Sequence, residues 1–274
     1  MAAALRIVLD VFVFRLKKLE MANMGAAVAI MVALHLEISD IAVRSFFALQ
    51  LNLLAYLTND YLDVDRDLKA GREPTKTHFL AGHRRSALFA QWGLFALLIV
   101  IAAVYDWGLL IPAIFGAGIC WLYTAKLKHM PLWDLVAMTA WGIAMTAVAF
   151  PASNSLGWLI VLQLGLFSTC FESIQVLRDH DEDKAAGVVT TAVLLGPRRT
   201  LLLARSCMVI AAVYAFLLLH VGVGGWLLAA VLLPCPLDRV SRYWNQVKMV
   251  QGLGLATILA SVWFHSQPSG WLSP

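Results

Sequence analysis

The chain has 274 residues, 61% hydrophobic and only 14% charged, with a mean hydropathy of +0.76. That balance excludes a soluble globular domain, so the length is counted in membrane spans. The net charge of +4 reads as membrane orientation and not as a nucleic-acid patch. Cys120, Cys170, Cys207 and Cys235 lack the paired spacing of a disulfide framework or a zinc site.

Residues 1–14 are fairly apolar and run into Arg15, Lys17 and Lys18 instead of a small-residue cleavage site, which predicts a segment lying along the membrane interface. Nine apolar segments follow as expected membrane helices, near 20–37, 41–60, 86–105, 107–125, 132–150, 155–177, 200–219, 222–237 and 248–265. The eighth is short and broken by Pro234 and Pro236. Near the start of the first, Glu20 is placed to pair with a preceding base as an interfacial anchor. The second carries Asn52, Tyr56 and Asn59 at i, i+4 and i+7, a polar stripe that leads into Asp60, Asp63 and Asp67. The loop 68–85 is long for a membrane bundle and reads either as a solvated connector or as a lid.

The next two segments meet at an outer turn near Asp106, and the fourth ends in Tyr123, Thr124, Lys126 and Lys128. Tyr123 reads from the sequence as an aromatic-belt residue or a site residue. The fifth begins with Trp133 and Asp134. The sixth repeats the polar stripe of the second, with Glu172, Gln175 and Asp179 at i, i+3 and i+7. An acid inside a span is costly, so Glu172 is expected to face a cavity or a partner. The segments from 200 onward carry Arg205, Asn245 and Gln251 and read as mainly structural.

Charge asymmetry fixes the expected orientation. With the N-terminus in the cytoplasm, every Lys and Arg except Arg44 falls on the cytoplasmic side, and so do both acidic clusters. Those clusters, 60–67 and 179–183, hold eight of the seventeen acids, which needs an explanation in a chain that otherwise avoids charge. Asp63-x-Asp65-x-Asp67 and Asp179-x-Asp181-x-Asp183 begin like calcium loops, but the sixth positions are Leu68 and Lys184 and the twelfth are Pro74 and Thr190, so that reading fails. Oxygen-only donors of this density suit Mg²⁺, which keeps waters and takes substrate phosphates into its shell. A cation pathway would require further acids within the spans, and beyond Glu172 there are almost none. The recurrence of the acidic cluster four spans later predicts an all-α polytopic membrane protein of two pseudo-repeated four-helix units plus a final helix, one domain over 1–274.

These residues resemble the UbiA superfamily of intramembrane prenyltransferases. Asn59-Asp60-x-x-Asp63-x-x-x-Asp67 is similar to the first family motif, and Asp179-x-x-x-Asp183 to the second. The run from Asp183-Lys184 through Gly187, Thr190 and Val193 to Gly196 looks like the tail of that second motif, and Tyr123-Thr124 resembles the Tyr-Ser pair after the fourth span. Glu73-Pro74 stands where many members have Arg-Pro, Thr191-Ala192 replaces a common Leu-Pro, and Gln175 occupies the place of a Tyr. The resemblance implies Mg²⁺-dependent ionisation of an allylic prenyl diphosphate and transfer to an aromatic, quinone-precursor or lipid acceptor; the superfamily also implies a membrane terpene cyclase as the alternative. It implies Asn59, Asp60, Asp63, Asp67, Asp179 and Asp183 as the catalytic set, all but Asp60 as metal ligands, and Arg72, Tyr123, Lys126, Gln175 and Lys184 as substrate contacts, with Lys18 as a further phosphate candidate.

Overall fold

The computed structural model describes residues 2–17, 21–69, 74–150 and 154–265, and among them every regular element is helical. Glu20, Lys18 and Arg72 lie outside the described residues. Helix α1, Ala2–Lys17, buries Ile7 and Val11 against the bundle and precedes α2, Ala22–Ala33. The 32-residue α3, Ile38–Lys69, extends about 48 Å at 1.5 Å per residue. It is therefore longer than a hydrocarbon layer of about 30 Å is thick, and its last turns carry the first acidic cluster.

Within the expected loop 68–85, Pro74–Gly82 form a further helix, α4, that packs on α3. Helix α5, Arg84–Tyr105, returns to the opposite end. The span from Trp107 to Ala125 is assembled from a 3-10 turn, a π turn at Pro112–Gly116 and α6, Ala117–Ala125. Pro112 supplies no amide hydrogen, so a regular α-helical ladder cannot pass through it.

Helix α7, Trp133–Ala147, then packs antiparallel to α8, Ser155–Arg178. Their close approach depends on Gly142, where an added Cβ would lie 2.2 Å from Ser168 Oγ. Short helices α9, His180–Ala185, and α10, Thr191–Leu195, lead into α11, Pro197–Leu218, α12, Val221–Leu232, and α13, Val240–His265.

Among the described residues, six segments are long and apolar enough to cross a membrane. The other three expected segments are also helical, but α2 and α12 have 12 residues each and α7 has 15, short of the ~20 that a perpendicular crossing needs. Two spans stand apart in burial: 61% of the apolar window of α3 and 67% of that of α8 are buried, against 28% in each of the other four. The acid-bearing helices are thus the hubs, α3 surrounded by α1, α2, α4, α5 and α6, and α8 by α7, α11 and α13. At the far end Arg44, 5% exposed, pairs with Asp106 and donates to the Val148 carbonyl at 3.0 Å. Satisfied in this way, the one base expected on the outer side has no need to reach bulk water.

Candidate active site

At the end of α3 the four polar side chains have different surroundings, and Asp67 borders both a central cavity and a small cleft beside Asp60. Asn59 and Asp67 line a cavity of about 790 Å³ in the middle of the bundle. Asp60 turns the other way, towards α1 and α4, where Arg15 Nη2 donates to one oxygen at 2.6 Å and Lys76 Nζ to the other at 2.7 Å. Asp63 accepts from Arg66 at 2.6 Å and from Lys128 at 2.9 Å. Both carboxylates are buried, and each is held between two cations, so neither carries an uncompensated charge. Asp60 and Asp63 are wall residues that do not line the cavity, whereas Arg15, Arg66 and Lys128 do.

The second cluster is built differently. Helix α8 stops at Arg178, and Asp179 (φ −89°, ψ 3°) is the hinge at which α9 begins. Arg178 forks onto Asp179 with contacts of 2.6 and 2.9 Å and lies 4.7 Å over the Trp244 ring. Among the described residues Asp183 forms no ion pair, and partial burial, with the charge of Asp179 beside it, raises its pKa above the usual carboxylate range. The chain leaves α9 through Gly187 at φ +70°, a conformation that favours glycine. Beyond it, the buried Asp134 at the start of α7 accepts from the Thr191 amide at 2.9 Å and from its hydroxyl. Thr191 Oγ1 accepts in turn from Leu132 N at 2.6 Å, so the return loop is tied to α7.

The cavity brings Asn59, Asp67, Asp179 and Asp183 together with Tyr123 and Gln175, the latter two from α6 and α8. It does not bring in Lys126 or Lys184, which are exposed. Lys128 is the base after α6 that reaches inward, because the short 3-10 turn at Leu127–His129 redirects the chain. Nothing in the sequence signals that Arg15 and Lys76 are partners of the acids, and the segments after residue 200 read as mainly structural. The structure corrects that last reading, since Trp244 and Lys248 of α13 line the same cavity and Lys248 Nζ sits 3.5 Å over the indole. Their i, i+4 spacing near the basic end was the available signal. Deeper in, the walls are apolar and aromatic, with Tyr56, Ile119, Met138, Trp141 and Phe171.

Among the described residues, no three Asp, Glu, His or Cys side chains converge closely enough to hold an ion by themselves. The donor set still fits Mg²⁺, which uses one or two carboxylates and completes its shell with water and substrate phosphate. Asp67, Asp179 and Asp183, with the Asn59 amide oxygen, are the donors that face the cavity.

The sequence from 22 to 265 matches the model of the UbiA prenyltransferase family. A 4-hydroxybenzoate octaprenyltransferase from Xanthomonas oryzae pv. oryzae is 32% identical over 145 residues, 50% of this chain and 48% of that protein; the chain thus spans about half the length of this curated relative. A digeranylgeranylglyceryl phosphate synthase from Natronomonas pharaonis is 27% identical over 191 residues, 68% of each chain. A UbiA homologue from Archaeoglobus fulgidus solved with GPP and Mg²⁺ superposes with a TM-score of 0.62 at 14% identity, covering 99% of this chain and 90% of that one. With the family match running through both acidic clusters and all the long spans, the chain belongs to the UbiA prenyltransferase family.

Proposed function

We propose that this protein ionises an allylic isoprenoid diphosphate within the membrane and transfers the prenyl group to an aromatic or lipid acceptor. The observation that carries this reading is that side chains from both acidic clusters line one cavity whose mouth is charged and whose depth is apolar and aromatic. In the proposal all nine helical segments cross or enter the bilayer as two four-helix units and a final helix, with the N-terminus and the acidic mouth on the cytoplasmic side. Arg44 as the lone outer base supports that orientation. The fold likeness to a homologue holding GPP and Mg²⁺ supports the metal and the donor class.

In this mechanism Asn59, Asp67, Asp179 and Asp183 would hold Mg²⁺, which when bound neutralises charge on the diphosphate and polarises the bond that breaks. Arg66, Lys128, Arg178 and Lys248 line the mouth and place positive charge beside phosphate oxygens as the leaving group gains negative charge. The ion pairs of Asp60 and Asp63 position α1, α4 and Lys128 around that mouth. The aromatic walls exclude water and offer ring faces to an allylic cation. The test is mass-spectrometric product analysis after incubation with C10 to C20 prenyl diphosphates and Mg²⁺, with and without 4-hydroxybenzoate. Prenylated acceptor is the expected product; a cyclic hydrocarbon formed without acceptor overturns transfer.

A further inference from the structure

Within the cavity one acid sits away from the charged mouth. Asp60, Asp63 and Asp179 each face a cation at 2.9 Å or less, but Glu172, 4% exposed, forms no ion pair among the described residues. It accepts instead from the Tyr123 hydroxyl, at 3.0 Å. Glu172 lies two helical turns below Asp179 on α8, about 10 Å deeper along the axis, where the cavity wall has turned apolar. Asn52, 2% exposed, lines the same cavity from α3, and its Oδ1 has no hydrogen-bond partner. A buried carboxylate with no cation beside it and a buried amide oxygen with no donor cost stability unless a ligand supplies a partner. Two acceptor oxygens therefore face a chamber below the diphosphate mouth, and the ligand chemistry they call for is a hydroxyl.

We propose that Glu172, steadied by Tyr123 and with Asn52 on the α3 wall, forms the subsite for a hydroxyl-bearing acceptor, and that its carboxylate takes the proton the acceptor loses. The inference rests on the transfer reading above. In the step, the bond between prenyl C1 and the diphosphate oxygen breaks with its electron pair leaving on diphosphate. The acceptor O–H proton moves to Glu172, and the released pair forms the new bond to C1 through oxygen. A phenol reaches the same balance through a ring carbon, followed by internal return of the ring proton to its oxygen. Tyr123 donates to Glu172 and so positions it, while Glu172 alone handles the proton.

The test uses the full chain reconstituted in liposomes with Mg²⁺ and geranylgeranyl diphosphate, offering 4-hydroxybenzoate or geranylgeranylglyceryl phosphate as probe. The readout is the ratio of prenylated product to diphosphate released. In Glu172→Gln that ratio falls about 10²-fold or more, and in Tyr123→Phe about 10-fold with the acceptor KM raised. The probe that is prenylated identifies the acceptor as phenol or glycerol-phosphate lipid. A merely structural role lowers product and diphosphate together and leaves the ratio unchanged, which overturns the assignment. Should Glu172→Gln not fold, the ratio in Tyr123→Phe decides alone. A wild-type protein that releases diphosphate but prenylates neither probe overturns the transfer reading itself, an outcome distinct from a wild type that transfers and a Glu172→Gln variant that transfers equally well.

Discussion

The two acidic clusters share a spacing and differ in construction. The first sits on an unbroken helix and is clamped from three other elements, with Arg15 from α1, Lys76 from α4 and Lys128 from the turn after α6 converging on Asp60 and Asp63. The second sits where α8 breaks at Asp179, and the ion pair on Asp179 is local, from the adjacent Arg178. Charges held from several sides act as fasteners, whereas charges held by one neighbour remain available to a ligand. The first cluster therefore carries architecture as well as chemistry, and the second carries mainly chemistry.

Mutations can break that contrast. Asp179→Ala and Asp183→Ala are expected to lower prenyl diphosphate turnover about 10²- to 10³-fold with little change in thermal unfolding, measured by diphosphate release alongside a melting curve. Arg15→Ala leaves Asp60 with one of its two cations and is expected to cost about 3 kcal/mol of stability; a melting temperature equal to wild type would show that the clamp is dispensable. Gly142→Val forces a side chain onto Ser168 and is expected to destabilise by about 2 kcal/mol, visible in the same melt. Lys248→Met removes a cation from the mouth without touching either acidic cluster, and a rise of about 10-fold in KM for the diphosphate is expected, near 1.4 kcal/mol.

The pH response sharpens the comparison further. Because the folded pKa of Asp183 lies above its unfolded value, its protonated form favours the folded state, and that contribution fades as pH rises through the folded pKa. At neutral pH the ionised group is a destabilising charge that a divalent ion relieves. Added Mg²⁺ is therefore expected to raise the melting temperature more at neutral than at mildly acidic pH, and Asp183→Asn should flatten that difference.

Much of this arrangement was legible in one dimension. Among the described residues six of the nine expected segments contain candidate membrane spans and the other three hold helices of 12 or 15 residues, and Asn59, Asp67, Asp179, Asp183, Tyr123 and Gln175, singled out from the sequence, line the cavity. Lys126 and Lys184 show where the reading stops, since proximity in sequence placed them at the site and the backbone turned them outward. Arg15 and Trp244 show the converse, because they come to the site from the ends of the chain.

By itself the sequence determined the membrane class, the approximate places of the long apolar helices and the grouping of acids into two clusters, because hydropathy and charge act along the chain without regard to what packs against it. Tertiary structure alone decided which acids are fastened by cations and which face the cavity, and that α13 closes one side of it. The physical reason is rotational: helical spacing puts Asp60, Asp63 and Asp67 near one another on their own helix, but only the packing of α1, α4 and α6 around α3 sets which way that face turns.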